Sequence, residues 1–336
     1  QAHPGVPQRG SLQRQFLFPA LWRAKTLVNR AVIASLGSHA HPRWLPPGHS
    51  MELLPLGRRL TIEIIIDELI SASISDITLL LGPEHDGVLE HIVRVLNGTA
   101  HERGGRVTGA VLPDGTLLHH IPVPERVTLG EALLRAELIL ENNSFLLAQS
   151  EVLFASTNGT PTVANRLVQI LDITGADAVV AVRHVSRSRV GTYTIVEPLG
   201  DPGQKPHFVV KDLLPYPQPD GVNGTLALAG RYALTPIIFD YLRDSDDVLS
   251  ERVDLQRALR RLAHDREGVW ATLTSEERCF DLESFLLYAR AFIDFSLNDP
   301  EVGVAVKEYM EELIGCLLYT SPSPRDLSTS RMPSSA

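Results

Sequence analysis

The stretch Leu129-Gly-Glu-Ala-Leu-Leu-Arg-Ala-Glu-Leu-Ile-Leu140, followed by Ser144-Phe-Leu-Leu-Ala148, then Ala164–Ile173 and Ala176–His184, decides the fold class. The first piece reads as a helix and the second as a short buried strand. The third is a helix closed by Gly175, and the fourth is a strand rich in Val and Ala. Helices of ten or more residues alternating with short apolar runs are the pattern of an α/β sheet wound on both faces.

Upstream the same alternation continues. Ala31-Val-Ile-Ala-Ser35 is a strand, Leu60–Ser73 a helix with Ile62, Ile65, Ile66, Leu69 and Ile70 on one face, and Ile77–Leu81 a strand ending at Gly82-Pro83. Asp86–Leu96 is a helix stopped by Asn97-Gly98, and Val107–Leu112 with Leu117–Val123 forms a hairpin about Pro113-Asp-Gly115. A doubly wound, mainly parallel, Rossmann-like sheet is therefore expected. Its ligands would lie beyond the carboxyl ends of the strands, after Ser35, Gly82, Ala148 and His184. From about 190 the pattern changes. Tyr193–Pro198, His207–Leu213 and Leu226–Tyr232 suit a small antiparallel flap at the sheet edge, and helices follow at Thr235–Leu242, Asp254–His264, Asp281–Leu297 and Glu301–Leu313.

The chain has 336 residues, 44% hydrophobic, and a net charge of −9. That is ample for one large domain, and its acidity argues against a non-specific nucleic-acid binder. No run of 18 apolar residues occurs, and two cysteines make no disulfide framework and no zinc cluster. Residues 316–336, CLLYTSPSPRDLSTSRMPSSA, look like a translated sequencing adapter and its primer, leaving Cys279 alone and a reducing, cytoplasmic setting as the expectation. Residues 1–30 are basic and acid-poor and are set apart as an extension, so the expected domain is 31–313; Ala31–Ser35 already reads as a core strand, which argues against a start at Met51.

Four passages together resemble the bacterial UTP–glucose-1-phosphate uridylyltransferases, a family of sugar-phosphate nucleotidyltransferases. They are Ala31-Val-Ile…Arg43-Trp-Leu-Pro46…Glu52-Leu-Leu-Pro-Leu56; Leu129-Gly-Glu-Ala-Leu-Leu-Arg-Ala136; Lys211-Asp-Leu-Leu-Pro-Tyr-Pro-Gln-Pro219 with Gly230-Arg-Tyr-Ala-Leu-Thr-Pro236; and Phe280-Asp281 leading into the last helices. The third is the most specific, since G-R-Y-x-L-T-P occurs in the family's order and context. The resemblance implies the nucleotidyltransferase fold and attack of a sugar phosphate on the α-phosphorus of a nucleoside triphosphate. Charge on the phosphates is there neutralised by Mg²⁺, cations and backbone N–H groups.

Carried over residue by residue, the resemblance puts Arg43 on the phosphates as the catalytic cation, Gly37 in the phosphate loop, Glu125 and Gly130 around the nucleotide, and Glu151 with Asp281 on Mg²⁺. Each has a plainer alternative: a surface arginine, an exposed glutamate, or for Asp281 a helix N-cap. The chain also departs from the family. The family's lysine in P-K-E falls on Met51, its base-reading glutamine on Val123, its sugar-phosphate lysine on Tyr216 with Pro215 in place of the preceding glutamate, and its acidic sugar contact near Arg252. These losses favour a catalytically impaired homologue that binds a nucleotide or nucleotide sugar, alone, as a homo-oligomer or with an active paralogue. The alternatives are an active divergent transferase and a non-catalytic scaffold. Arg58, Arg59, Arg183 and Lys211 are the candidate replacement cations.

Overall fold

The computed structural model describes residues 28–34, 44–46, 49–82, 88–103, 106–124, 127–155, 160–203, 205–222, 224–244, 253–274 and 278–320. Fifteen strands and eight α-helices lie among them. β1 (Arg30–Ala34), β4 (Asp76–Leu81), β7 (Leu117–Pro122) and β8 (Phe145–Gln149) form a parallel block ordered β8-β1-β4-β7. β1 shows why it is central. Ala31 and Ile33 join one buried cluster and Val32 and Ala34 the other, so both faces of the strand are covered. α1 (Thr61–Ser71), α2 (Val88–Val95) and α4 (Val163–Thr174) cover one face. α3 (Leu129–Leu140), α5 (Ile237–Arg243) and α6 (Leu255–Arg266) cover the other. The layering is doubly wound, as expected.

The sheet is not mainly parallel. Four of its eleven strand pairings are parallel and seven antiparallel, so it is mixed. The correction turns on β13 (Leu226–Leu234), expected in an edge flap. It runs antiparallel between β8 and β10 (Ala178–His184), with every residue after Leu226 buried. A strand covered on both faces reads as an unbroken apolar run, and Leu226–Leu234 with its single arginine nearly is one. β11 (Thr194–Pro198), β12 (His207–Pro215) and β14 (Val269–Leu273) complete a ring, β10-β14-β12-β11-β13, that closes through the β10–β13 pairing. β5 (Thr99–Arg103) and β6 (Arg106–Val111) extend the opposite end.

Two short pairs lie outside this sheet: β2 (Pro55–Leu56) with β3 (Arg59–Leu60), and β9 (Val152–Ala155) with β15 (Arg278–Asp281). β15 corrects a second expectation. The helix expected from Asp281 begins at Phe285 as α7 (Phe285–Leu297), capped by Ser284, whose Oγ accepts from Leu287 N. Asp281 is therefore a strand-end residue rather than an N-cap. The last helix, α8 (Gly303–Thr320), continues five residues past Gly315. No helix of the described residues is long and apolar enough to cross a membrane.

The G-R-Y motif lies at the middle of the architecture. Gly230 has φ +67°, and a Cβ there would stand 3.0 Å from Val152. Arg231, 1% exposed, spans the core to α1, donating to both carboxylate oxygens of buried Glu68 at 2.9–3.3 Å and to the carbonyl of Gln149 at 3.0 Å. Its guanidinium also lies over the ring of Phe154. Arg231→Met leaves the Glu68 carboxylate buried without its partner and is expected to cost about 3–5 kcal/mol. Replacing both residues (Arg231→Met with Glu68→Leu) is expected to recover most of that loss, as read from urea-unfolding midpoints.

Candidate functional site

Where β8 ends, the chain turns at Ser150-Glu151 into β9, and β15 runs antiparallel beside it with Asp281 opposite Val152. The backbone locks this corner: Leu282 N donates to the Glu151 carbonyl at 2.8 Å and Ser150 N to the carbonyl of Ala34 at 3.1 Å. The two expected metal carboxylates thus come from adjoining strand ends at the carboxyl side of the parallel block, where ligands of such sheets bind.

Glu151 is half-buried and is held by a short relay. Tyr232 Oη donates to Gln149 Oε1 at 3.0 Å, and Gln149 Nε2 donates to Glu151 Oε1 at 2.8 Å. Burial pushes its carboxyl up to about 7, and the negative charges of Asp281, Glu52 and Glu283 add to the rise. Glu52 is wholly buried and accepts a hydrogen bond from Ser50. This carboxylate corner is short of positive charge at Glu151.

Asp281 is the opposite case. It is 3% exposed, and its Oδ2 accepts from Arg183 Nη2 at 2.9 Å and from Tyr193 Oη at 2.7 Å, while Oδ1 accepts from the Glu283 amide at 3.0 Å. Arg189 stands 3.8 Å away. The guanidinium groups of Arg183 and Arg189 both lie over the Tyr193 ring, at 5.1 and 5.0 Å from its centroid. Tyr193 is raised as an acid by burial and by Asp281, so its hydroxyl remains a donor.

Of the other expected site residues, Gly37, Arg43 and Glu125 lie outside the described residues, as does Arg252. Gly130 is buried in the first turn of α3, where a Cβ would come within 2.8 Å of the Val253 carbonyl; the close approach of these segments needs a glycine there. Met51 and Val123 are core residues, 9% and 1% exposed. Tyr216 is exposed with φ +47°. Among the replacement cations, Arg58 pairs with Asp299 and Glu301, and Arg59 with Asp67, while Lys211 is exposed on β12. Arg183 alone of these four reaches the carboxylate corner. Arg260 and Arg261 pair with Asp212 and Asp244 on a solvated helix face. His119 pairs with Asp76 near the start of β4, remote from the corner, and that hydrogen bond raises its pKa. Cys279 has its thiol pushed up to about 11 by burial, which keeps it unreactive.

Tyr193, Arg189 and Glu52 are site residues that the sequence reading gave no role. Tyr193 and Arg189 have no local signal, since they meet Asp281 only through the fold. Glu52 lies in the Glu52-Leu-Leu-Pro-Leu56 passage, and nothing local in that sequence signals its burial. Among the described residues no group of three or more His, Cys, Asp or Glu is arranged to hold a metal, so an ion at this corner would rest on Glu151 and Asp281 with other oxygens from a substrate. The raised carboxyl of Glu151 fits such an ion, because a divalent charge relieves the cost of ionising it.

No family model matches the sequence. Curated relatives do. The chain is 25% identical over 293 residues to a UTP–glucose-1-phosphate uridylyltransferase of Staphylococcus epidermidis, covering 85% of this chain and 98% of that protein. It is 27% identical over 295 residues to one of Streptococcus pyogenes, covering 86% and 95%. Among solved structures, the UTP-bound UGPase of Acinetobacter baumannii superposes with a TM-score of 0.68 at 21% identity, covering 85% of this chain and all of that one. A UDP-glucose pyrophosphorylase complexed with UDP-glucose superposes with a TM-score of 0.65 at 17% identity, covering 80% and 98%.

In protein stripped of divalent ions, Glu151 holds its proton to about pH 7 when folded, against 4.5 for an ordinary glutamate. The folded state therefore binds the extra proton in that interval, and stability falls as pH rises from 4.5 to about 7, then levels. Glu151→Gln is expected to flatten this slope in melting temperature against pH, and Mg²⁺ to stabilise the wild type but not the variant above pH 7. The chain is thus similar over most of its length to UTP–glucose-1-phosphate uridylyltransferases, and its α/β fold with a mixed sheet is nucleotidyltransferase-like.

Proposed function

We propose that the carboxylate corner belongs to a nucleotidyl-transfer site that takes a nucleoside triphosphate or nucleotide sugar with a sugar 1-phosphate, and that transfer there is slow. The likeness to UTP–glucose-1-phosphate uridylyltransferases supports the substrate class. The observation that carries the second half is the engagement of Asp281 by Arg183 and Tyr193, which occupies a carboxylate that a metal would otherwise share. On this reading Glu151 and Asp281 hold Mg²⁺, which neutralises phosphate charge when bound. Gln149 aims Glu151, Arg183 holds Asp281 back, Arg43 meets the phosphates, and Gly37, Glu125 and Gly130 border the nucleotide. The burial of Met51 and Val123 as apolar core supports slow transfer, since neither offers charge or hydrogen bonds to a substrate.

A second reading, an active divergent transferase, is favoured by the adjoining origin of Glu151 and Asp281. A third, an interaction scaffold, draws on the exposed Phe285, Leu286, Val304 and Tyr309 of α7 and α8. Pyrophosphate release from UTP, glucose 1-phosphate and Mg²⁺ separates the three, together with the melting-temperature shift caused by UDP-glucose. The proposal expects a clear UDP-glucose shift with turnover far below about 1 s⁻¹, rising severalfold in Arg183→Gln and vanishing in Asp281→Ala. Wild-type turnover of about 10 s⁻¹ that is lost in Asp281→Ala would establish the active transferase. Neither turnover nor shift would leave the scaffold.

A further inference from the structure

Behind the carboxylate corner, between β15 and α7, lies a half-open cavity of about 500 Å³ that shares Arg183 and Asp281 with the proposed transfer site, while Arg278, Arg290, Leu287, Ile293 and Leu297 have no part in it. Its polar lining is Arg183, Arg189, Arg278 and Arg290 against Asp281 and Asp294, an excess of two positive charges in a chain of net charge −9. Glu283 approaches Arg189 only to 4.0 Å. Cys279, also in the lining, accepts from Arg183 Nη1 at 3.4 Å.

The four arginines are not evenly satisfied. Arg278 pairs with Asp294, and Arg183 with Asp281. Yet the buried Nε of Arg183 has no hydrogen-bond partner, and Arg290 makes no ion pair among the described residues. Tyr193 carries the guanidinium groups of Arg183 and Arg189 on its ring. Arg183 already donates to Asp281 and to Cys279 Sγ, and Arg189 to Tyr193 Oη, so these two supply fixed positive charge, and the open donors at the cavity are those of Arg290 and the remaining N–H groups of Arg189 and Arg278. Forks of this kind match the oxygens of a phosphate two at a time.

The rest of the lining is apolar. Leu287, Ile293 and Leu297 recur along one face of α7, and Ile293 and Leu297 remain 40% and 36% exposed. A volume of about 500 Å³ is that of a small-molecule site and far exceeds what inorganic phosphate fills. Arg183, Arg189 and Arg278 stand on the strand side, while α7 presents Arg290 among Leu287, Ile293 and Leu297, a mixture of cationic and aliphatic surface that suits an anion with an apolar body.

We propose that the cavity between β15 and α7 is a binding site for an organic phosphate, its phosphoryl group on Arg183, Arg189, Arg278 and Arg290 and its apolar part against Leu287, Ile293 and Leu297. The site lies beside the carboxylate corner and shares Arg183 and Asp281 with it, but does not depend on transfer taking place there.

Calorimetric titration of the full chain with phenyl phosphate, inorganic phosphate and phenol tests this. Phenyl phosphate is expected to bind at least about tenfold more tightly than either part alone, and more weakly as NaCl screens the arginines. Arg278→Gln with Arg290→Gln should weaken it at least about tenfold, and Asp294→Asn should tighten it severalfold by releasing Arg278. These residues lie outside the proposed nucleotidyl-transfer machinery, and melting temperatures check that the variants fold. No saturable binding of phenyl phosphate up to roughly 10 mM would overturn the proposal. So would binding that neither the double variant nor Asp294→Asn alters, since the probe would then occupy the nucleotide site or another surface. Loss of pyrophosphate release alone would count against the transfer reading and not against this one.

Discussion

The ion pair of Arg231 with Glu68 is the contact on which the rest of the site depends. Burying two charges is costly, and the pair is tolerated because the guanidinium is satisfied at several points, by two carboxylate oxygens and the carbonyls of Gln149 and Gly230. Those partners belong to α1, to the end of β8 and to β13 itself. One side chain therefore sets the distance between a helix on one face, the last strand of the parallel block and the antiparallel strand inserted beside it. Removing it releases all three at once.

The consequence reaches the chemistry through its neighbours in sequence. Gly230 lets β13 approach Val152, and Tyr232 holds the Gln149 side chain that in turn holds Glu151. The same three residues thus fix the backbone and the side-chain direction of the carboxyl whose pKa is most disturbed. Asp281 reaches that corner by a different route, on a strand paired to β9, and is held by groups from β10 and the turn before β11. Two independent supports bring two carboxylate-bearing residues to one corner of the backbone, Glu151 with no positive charge among the causes of its shift and Asp281 with Arg183 upon it. That asymmetry gives the two acids different environments: one is costly to ionise, the other is paired with a guanidinium.

Much of this was legible in the sequence. The parallel block and its helices followed from apolar periodicity; the structure adds that α3 starts on a Thr128 cap with Glu131 returning to it. Gly230-Arg-Tyr was recognisable as a motif because its spacing is specific, although its structural work was not. The polarity of β13 was not legible, because an apolar run records burial on both faces but not strand direction. Nor was the occupation of Asp281: Tyr193 and Arg183 lie 88 and 98 residues away in sequence, and no local pattern links positions so separated. Gly130 was read through its motif as a nucleotide contact, while the structure adds a packing demand from a carbonyl more than a hundred residues later.

The closed ring of strands also bears on how this protein avoids sticking to itself. An open sheet of eleven strands has two free edges, each a row of unpaired amides and carbonyls that another chain can extend. Here every strand of the ring has a neighbour on both sides, so within the described part of the large sheet one terminal strand remains, β5. It is Thr-Ala-His-Glu-Arg, exposed at every residue, with a bulge in its pairing to β6 between His101 and Glu102. Charge and irregular register on this last edge make it a poor template for a neighbouring strand.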